Sequence, residues 1–450
     1  MADGEKLRRF GLDKLAFLAL LLLGLLLARI FISARSSFEL SQSIGLKGTG
    51  LEVSLPASDN WKRLSNDFKF EDNEFRFTAV MQISSDSAIT ALWRYSLIPV
   101  KIESLERFNE IAASLEGHIE SSGTDAFGQF TFDYAKIDSE KAIIFVGTTV
   151  LPNGRILTLE IGQRGAGVEL AEKVFKALLA SVKFNPDNSF AKGVKFLKEF
   201  KTSFLPDLPE SELASQNVSD FFRIKDAGGN SIGFTTDTLS YVAEANDNLP
   251  LVSASLLFLS PSYNTLTEQM IFRSDITLSK FDWMIKQSHL LTNRHQSIHI
   301  QLGENGFLTI EKSGKISQIP FTDVMIPDTL LDLAVASFLK SDYDTIYIEA
   351  LLSDGRISPV ILSRIKSTQT AALPERSAAQ ADFFGAITAN QKMYFDGRGR
   401  LVSADVQGGL SYRLERTTRA AILIDFPQWI DKIQQIEQYQ KKKESRSKKD

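Results

Sequence analysis

An unbroken apolar segment near the N-terminus places the strongest constraint on this 450-residue chain. Residues 15–33 read LAFLALLLLGLLLARIFIS. As a helix, this segment spans roughly 28 Å, which is close to the thickness of a bilayer's hydrocarbon core. It is apolar on every side, so it has no polar face to turn toward water. Arg29, the one charged residue, lies near enough to one end to reach the lipid headgroups. The segment therefore predicts a transmembrane helix.

The charges before this helix predict its orientation. Four basic residues precede it: Lys6, Arg8, Arg9 and Lys14. The positive-inside rule keeps residues 1–14 in the cytoplasm and sends the rest of the chain across the membrane. The alternative is a cleaved signal peptide whose apolar region is residues 15–28. Cleavage needs small residues one and three positions before the cut, and Ile32 or Leu26 breaks that pattern at the two candidate sites. Both interpretations put the body outside the cytoplasm, and we expect a single-pass cell-membrane protein with a periplasmic body.

The overall composition narrows the class of the protein. Hydrophobic residues make up 43% and charged residues 24% of the chain, which is typical of folded proteins. At roughly 150 residues per domain, this length predicts two or three domains. The formal net charge of −4 gives no electrostatic reason to expect nucleic-acid binding. The chain has no cysteine, which excludes disulfides, thiolate metal sites and a cysteine nucleophile.

The pattern after the apolar segment predicts a first α+β domain. Residues 34–50 are small and polar and predict a linker. In residues 51–184, three predicted strands precede a helix, and three more precede a second helix. Alternation over Phe75–Ile83 predicts one of the strands, and helical spacing predicts helices over Ser104–Ser121 and Val168–Ser181. This order favours an antiparallel sheet with helices packed against it.

Two segments of this domain carry a family resemblance. They are LEVSLPASDNW at Leu51–Trp61 and GRILTLEIGQ…AEKVFKALLASVKF at Gly154–Phe184. With them, residues 51–184 resemble the PsbP-like fold of the extrinsic photosystem subunits and their bacterial relatives. The resemblance implies an α/β sandwich that docks a protein or a ligand. The family's metal and photosystem functions are not implied, because no matched position supplies ligands.

The second half of the chain predicts a β-rich domain. Residues 185–217 contain three prolines and predict a linker with one short helix near 191–200. Residues 218–427 predict mostly strands, with one clear helix at Ile326–Leu339. The alanine-rich residues 368–380 predict an exposed loop.

The end of the second domain carries a further resemblance. Lys392–Thr418 reads KMYFDGRGRLVSADVQGGLSYRLERTT, and many strands surround one helix. The domain resembles the half-barrel of lipoprotein-carrier folds and related periplasmic domains, which implies an open barrel that holds acyl chains. Residues 428–450 are rich in lysine and predict a solvated basic tail. The predicted fold class is therefore α+β, with a transmembrane helix, an α/β sandwich and a half-barrel-like β-rich domain.

Short motifs in the chain match catalytic and metal patterns only in part. Gly229–Gly233 fits the G-x-S-x-G nucleophile elbow around Ser231, but a strand follows it where a helix is required, which favours a hairpin turn. The chain has four histidines: His118, His289, His295 and His299. His295 and His299 lie on a predicted strand, where residues four apart are about 13 Å from each other, too far to share a metal.

Two further patterns have simple explanations. Ser337–Lys340 and Ser363–Lys366 fit S-x-x-K, but the partner motifs of penicillin-binding enzymes do not follow in order. Gly45–Gly50 precedes a strand and does not follow one, which favours a linker over a phosphate loop. The sequence therefore predicts no catalytic, cofactor-binding or metal-binding residue, and no cofactor.

These observations predict a non-enzymatic cell-envelope protein. It is expected to bind a lipid, a peptide or a partner subunit while the N-terminal helix sits in the lipid bilayer. The alternative is an envelope hydrolase with an unrecognised active site. A lipid binder requires a deep, apolar, phenylalanine-lined cavity in the second domain. An enzyme requires a polar cleft that holds a nucleophile and a base in hydrogen-bonding contact.

Overall fold

A computed structural model of the chain describes residues 39–57, 61–64, 68–99, 104–207, 219–241, 248–259, 266–289, 292–365, 377–384, 390–408 and 411–434. The predicted transmembrane helix, residues 15–33, lies outside these residues, as does most of the predicted basic tail. Among the described residues, none of the helices combines the length and the apolar character that a membrane span requires.

The first unit is an antiparallel sheet with two helices. Its strands are β3 (Trp61–Arg63), β4 (Lys69–Glu71), β5 (Glu74–Ser84), β6 (Ser87–Ser96), β7 (His118–Phe127), β8 (Phe130–Asp138), β9 (Ile143–Val150) and β10 (Ile156–Arg164). They are ordered β3-β5-β6-β10-β9-β8-β7, and β4 pairs with β5. The helices are α1 (Ser104–Ser114) and α2 (Val168–Ala180). A small separate sheet contains β1 (Ile44–Gly45), β2 (Leu51–Val53) and β11 (Lys183–Phe184).

Alternating and helical spacing explain how this unit builds its core. On β5, every second residue from Phe75 to Met81 is buried, because successive strand side chains point to opposite faces. Helix α2 buries Val174, Phe175 and Leu178 on one side. Phe175 packs against Phe145 of β9 with ring centroids 5.8 Å apart. The predicted antiparallel sheet with packed helices is confirmed at this level.

The predicted helix over Ser104–Ser121 is wrong in its second half. Helix α1 ends at Ser114, and the chain then turns through Glu116, whose φ is 54°. Gly117 follows, and a Cβ at this position would lie 2.6 Å from the carbonyl oxygen of Asp138, so the close approach requires glycine. The next ten residues form β7, the edge strand of the sheet. Four strands therefore follow α1, where the sequence predicts three.

The second unit is one sheet of fifteen strands. They are β12 (Ser219–Lys225), β13 (Ser231–Tyr241), β14 (Leu251–Leu259), β15 (Leu266–Ser274), β16 (Phe281–His289), β17 (Arg294–Leu302), β18 (Phe307–Lys312), β19 (Lys315–Pro320), β20 (Met325–Pro327), β21 (Thr345–Leu351), β22 (Ile357–Arg364), β23 (Ser377–Phe383), β24 (Asn390–Phe395), β25 (Leu401–Gln407) and β26 (Tyr412–Thr417). The order runs from β19 back to β12 and then from β26 back to β20, so β12 pairs with β26. Only β20 and β21 are parallel among the described pairs.

Two helices accompany this sheet. A 3-10 turn, Asp328–Leu330, leads into α4 (Leu331–Lys340), and α5 (Arg419–Asp425) follows the last strand. Trp429 and Ile433, beyond α5, pack with Phe234 and Phe258 on the outer face of the sheet. The folded part of this unit therefore extends at least to residue 433.

Two local predictions in this unit are wrong. Helix α4 begins at Leu331 and not at Ile326, because Pro327 is extended (ψ 135°) and belongs to β20. The predicted exposed loop at 368–380 includes the start of β23, where Ala378 and Ala379 are buried. Alanine is a weak strand former, but small side chains fit a crowded position between two strands, and packing overrides propensity there. Residues 366–376 lie outside the described part.

The predicted linkers pack against the second unit. Gly48 has a φ of +83° and lies against Ile361. In the second linker, α3 (Ser189–Glu199) matches the helix predicted near 191–200 and continues into a π-helical turn, Phe200–Phe204. Helix α3 contacts β21 so closely that a Cβ on Gly193 would lie 1.7 Å from the carbonyl oxygen of Tyr347. These segments therefore join the two units.

One continuous hydrophobic core extends through both units. Phe75 of β5 meets Phe384, just after β23, with ring centroids 5.3 Å apart. The described chain is thus β-rich, with antiparallel sheets and a few packed helices.

Candidate functional site

A cavity of about 510 Å³ lies inside the fifteen-stranded sheet. Residues from β12 to β16 line one side of it, and residues from β23 to β26 line the other, so the sheet curves around it. The segment Asp328–Lys340, which we call the cavity helix, contributes five of its first six residues to the lining. Small-molecule sites commonly occupy about 300–1,000 Å³, so the cavity has the size of a ligand site.

Strand alternation explains which side chains face this cavity. On β13, Thr235, Asp237 and Leu239 line it. Phe234 points to the opposite face and packs under Trp429, with ring centroids 6.2 Å apart. The sheet is therefore covered on its outer face at this point, and the inner face is left for the cavity.

Thirteen residues give the cavity wall an apolar part. The aliphatic and aromatic residues are Phe222, Ile224, Leu239, Leu257, Met270, Leu331, Leu333, Leu352, Phe383, Phe395, Leu401, Tyr412 and Leu414. Of the phenylalanines that the structure describes, three are among them: Phe222, Phe383 and Phe395. The wall therefore suits an apolar group, but it is not the phenylalanine-lined pocket that the sequence predicts for an acyl-chain carrier.

Five aspartates interrupt this apolar wall: Asp220, Asp237, Asp328, Asp332 and Asp354. Two arginines, Arg356 and Arg400, line the same cavity. The lining is thus more acidic than basic, and burial makes each unpaired carboxylate unfavourable.

Three of these aspartates have partners of their own. Asp220 forms an ion pair with Arg416. The carboxylate of Asp354 lies 2.6 Å from the guanidinium of Arg356. The backbone N–H of Ser353 donates a hydrogen bond of 3.3 Å to Asp328.

The other two, Asp237 and Asp332, form no ion pair with a described residue. Burial, together with the nearby carboxylates of Asp332 and Asp220, raises the pKa of Asp237 to about 7. Burial likewise raises the pKa of Asp332 to about 6, with Asp220 contributing in the same direction. No cationic side chain is among the causes of either shift. These two groups therefore change protonation near neutral pH.

A hydroxyl group without a partner lies beside these carboxyls. Ser255 is 1% exposed and lines the cavity, and its Oγ has no hydrogen-bond partner among the described residues. In the sheet register Ser255 lies directly opposite Asp237. Ser253, two residues earlier on the same face, has its Oγ 3.2 Å from Oγ1 of Thr329 on the cavity helix. This contact brings the helix next to the part of β14 that carries Ser255.

A second acidic pair lies at the edge of the cavity. Burial raises the pKa of Asp328, and the nearby carboxyl of Glu268 raises it further. Burial also raises the pKa of Glu268, against hydrogen bonds from Ser353 and Gln287 that lower it. In both groups, burial therefore disfavours the charged form.

The serine and histidine motifs do not form a catalytic or metal site among the described residues. Ser231 begins β13 after the Gly229–Asn230 turn, and its Oγ lies 3.4 Å from the carboxylate of Asp425. His295 Nδ1 lies 2.9 Å from Ser288 Oγ, and His299 contacts Asp282. Within the described ranges, no group of three or more His, Cys, Asp or Glu side chains could hold a metal ion.

The described residues of the S-x-x-K motifs and of Gly45–Gly50 do not line the cavity. Ser337 and Lys340 are on α4, and Ser363 is on β22, while Lys366 lies outside the described residues. Gly48 lies against Tyr347 and Ile361 of the second unit, and Gly50 lies against Asn185 and Asn188 in the second predicted linker.

A buried polar network joins the two units at a different place. Nη2 of Arg155, in the turn before β10, lies 2.8 Å and 2.7 Å from the two carboxylate oxygens of Glu349 on β21. The hydroxyls of Tyr347 and Thr322 also donate hydrogen bonds to Glu349, at 3.1 Å and 3.3 Å. Arg155 donates another to the carbonyl of Leu97. Because Arg155 and Glu349 form an ion pair there, the network connects the two units.

A groove of about 1,000 Å³ lies on the first unit, between α1 and the sheet. Several of its charged side chains pair with one another. Arg94 lies 3.3 Å from Glu74 and 3.0 Å from Glu160. The hydroxyl of Ser104 donates a 2.6 Å hydrogen bond to Asp133. This pairing leaves the groove less suited than the cavity to bind a charged ligand.

Comparisons with known proteins give only distant structural similarity for this chain. No family model matches the chain, and no curated protein matches it. A β-barrel-like protein with a domain of unknown function, DUF1849, from Brucella abortus aligns with 45% of this chain and 97% of its own, at 9% identity and a TM-score of 0.33. The tail fibre of Staphylococcus aureus phage P68 aligns with 79% of this chain and 67% of its own, at 8% identity and a TM-score of 0.11. Similarity at this level carries no functional information, so the cavity must be interpreted from its own geometry.

Sequence patterns did not single out Asp237, Asp332 or Ser255. The one available signal is an aspartate inside the strand-forming run IGFTTDTLSY, at a position that alternation places on the same face as Thr235 and Leu239. A charged residue on the inner face of a buried strand is uncommon without a partner.

Proposed function

We propose that this chain is a membrane-anchored cell-envelope protein that binds a small amphipathic molecule in the cavity of the second unit, without catalysing a reaction. The observation that carries the proposal is the composition of this cavity. A wall with many apolar residues surrounds Ser255 and two carboxyls; among the described residues, the hydroxyl has no hydrogen-bond partner and the two carboxyls form no ion pair. A ligand that combines an apolar body with a polar group satisfies both parts.

We propose in addition a fold type for each of the two units. The first unit is a PsbP-like α/β sandwich, which its antiparallel sheet with α1 and α2 supports. The second is a half-barrel of the lipoprotein-carrier kind, which the curved sheet and the cavity helix support. A free fatty acid fits this cavity poorly, because the acidic side chains in the wall repel the carboxylate of the fatty acid.

Native mass spectrometry of the full chain, released from nonionic detergent, tests ligand binding. The probe is N-phenyl-1-naphthylamine, which is apolar and uncharged at pH 8. Ser255→Trp places a large ring in the cavity, and Ser317→Trp makes the same change on the exposed strand β19. We expect a one-to-one complex with the wild type and with S317W, and at least tenfold weaker binding by S255W. Equal binding by S255W, or no binding by the wild type, contradicts the proposal.

The membrane anchor requires its own experiment. We expect the full chain to remain in the membrane pellet after alkaline carbonate washing, and deletion of residues 15–33 to release it. Because the chain has no cysteine, Ser317→Cys introduces a single label site. A membrane-impermeant maleimide should label it in intact spheroplasts. A full-length product in the soluble cytosolic fraction refutes the anchor and the periplasmic location together.

A further inference from the structure

The cavity contains negative charge that the described protein does not neutralise. Asp220 has Arg416, and Asp354 has Arg356, so these two carboxylates are paired. Asp237 and Asp332 form no such pair with a described residue. Each lies in a largely apolar wall, where an isolated carboxylate is unfavourable. Either protons or a positively charged ligand can compensate them.

The geometry brings three oxygen-bearing groups to one part of the wall. Asp237 and Ser255 are directly opposed on β13 and β14. Residues opposed in this way have Cβ atoms about 4.5–5.5 Å apart on one face. Asp332 follows Thr329 by three residues on the cavity helix, and Thr329 contacts Ser253 of β14. Residues three apart lie on one side of a helix, so Asp332 lies on the side that contacts β14.

We infer that the ligand of this cavity is an amphiphile with a primary ammonium group, which donates hydrogen bonds to the carboxylates of Asp237 and Asp332 and to the hydroxyl of Ser255. This inference rests on the proposed function of the cavity and specifies its ligand. A primary ammonium group has three N–H donors and a positive charge, and the three side chains offer acceptors. The apolar body then contacts residues such as Phe222 and Leu257.

Other cations fit this site less well. A metal ion needs several ligands at short distances, and within the described ranges no group of three acidic or histidine side chains is arranged for one. A quaternary ammonium group has no N–H to donate, so the hydroxyl of Ser255 would stay without a partner.

A series of probes with one chain length tests the charge preference. Hexylamine, 1-hexanol and hexanoate are titrated against the full chain at pH 8 by native mass spectrometry. We expect hexylamine to bind about 10- to 100-fold more tightly than hexanol, as hydrogen bonds between charged groups allow. Hexanoate is expected to bind most weakly, because the carboxylates repel it.

Matched variants assign the preference to these residues. In the double variant D237N/D332N, we expect hexylamine affinity to fall to that of hexanol. Hexanol affinity should stay within about twofold, which shows that the cavity has folded. Asp187→Asn removes an exposed carboxylate that does not line the cavity, and it should keep the preference for the amine.

The outcomes separate this inference from the proposed function. Equal affinity for amine and alcohol in the wild type overturns the ammonium assignment, while binding of N-phenyl-1-naphthylamine keeps the cavity as a ligand site. A preference that survives in D237N/D332N also overturns the assignment. If none of the four probes binds, the proposed function fails, and the inference fails with it.

Discussion

Replacing Asp237 by asparagine is expected to stabilise the second unit at pH 8 and to leave its stability nearly unchanged at pH 4. The folded protein raises the pKa of this carboxyl from 3.8 to about 7, mainly because the group is buried. Below the unfolded pKa, both states carry the proton and the group has no effect on stability. As the pH rises toward 7, the unfolded chain loses the proton first, so the folded state becomes less stable. Because asparagine does not ionise, the D237N variant keeps its stability as the pH rises.

The difference between the folded and unfolded pKa values of Asp237 sets the size of the stabilisation. A rise of this extent corresponds to roughly 4 kcal/mol at a pH above both values. Asp237 is only partly buried and faces a cavity that water can enter, so we reduce the expectation to about 2 kcal/mol. In folding units of about 150–250 residues, this corresponds to an increase in melting temperature of about 4–8 °C.

Differential scanning calorimetry of the full chain at pH 4, 6 and 8 measures the difference between wild type and variant. The control is Asp187→Asn, whose side chain is 87% exposed. We expect a growing advantage for D237N from pH 4 to pH 8 and a constant small difference for the control. An advantage that is the same at every pH, or a D237N protein that melts lower at pH 8, refutes the reasoning.

Three further changes test the packing of the two units. Arg155→Met leaves the carboxylate of Glu349 buried without its cation and should lower the free energy of unfolding by about 3–5 kcal/mol. Adding Glu349→Gln should restore part of this loss. Denaturant titration measures the change, and an unchanged midpoint contradicts the prediction. Gly193→Ala forces a Cβ to within 1.7 Å of a carbonyl oxygen on β21 and should lower the free energy of unfolding by about 1–3 kcal/mol despite alanine's better helix propensity. The same change at Gly162, which has open space around it, is the control, and a more stable G193A protein would argue against the close contact. Trp429→Ala should lower the free energy of unfolding of the second unit by about 3 kcal/mol, and calorimetry with no loss would show that the outer-face cluster adds little.

Local periodicity predicted the regular elements well and the turns poorly. The alternating run at Phe75–Ile83 and the apolar side of Val168–Ser181 correspond to β5 and α2 within one residue at each end. Leu115 and Ile119 continue the spacing of α1, but the tight turn at Gly117 depends on Asp138, a contact that spacing does not reveal. Residues 377–380 were predicted as a loop for a similar reason, since the burial of β23 depends on its two neighbouring strands.

The candidate site depends even more on long-range contacts. Asp237 and Asp332 lie far apart in the chain, on a strand and on a helix, and share no motif. The sheet register places Ser255 beside Asp237, and the contact between Ser253 and Thr329 brings the cavity helix to them. Sequence patterns predict that β13 and β14 exist, but they do not predict the curvature of the sheet that encloses a cavity.

The pairing of β12 with β26 also has a consequence for how this protein is made. Asp220 and Arg416, which form an ion pair across these strands, are 196 residues apart, so the middle of the sheet joins an early strand to the last one. A ribosome delivers β13 to β19 soon after β12, and that meander can assemble while synthesis continues. The other edge of β12 stays open until β26 emerges, and open strand edges invite pairing between chains. Such distant pairing also slows folding, because β12 obtains its second neighbour only when the last strand of the sheet is present.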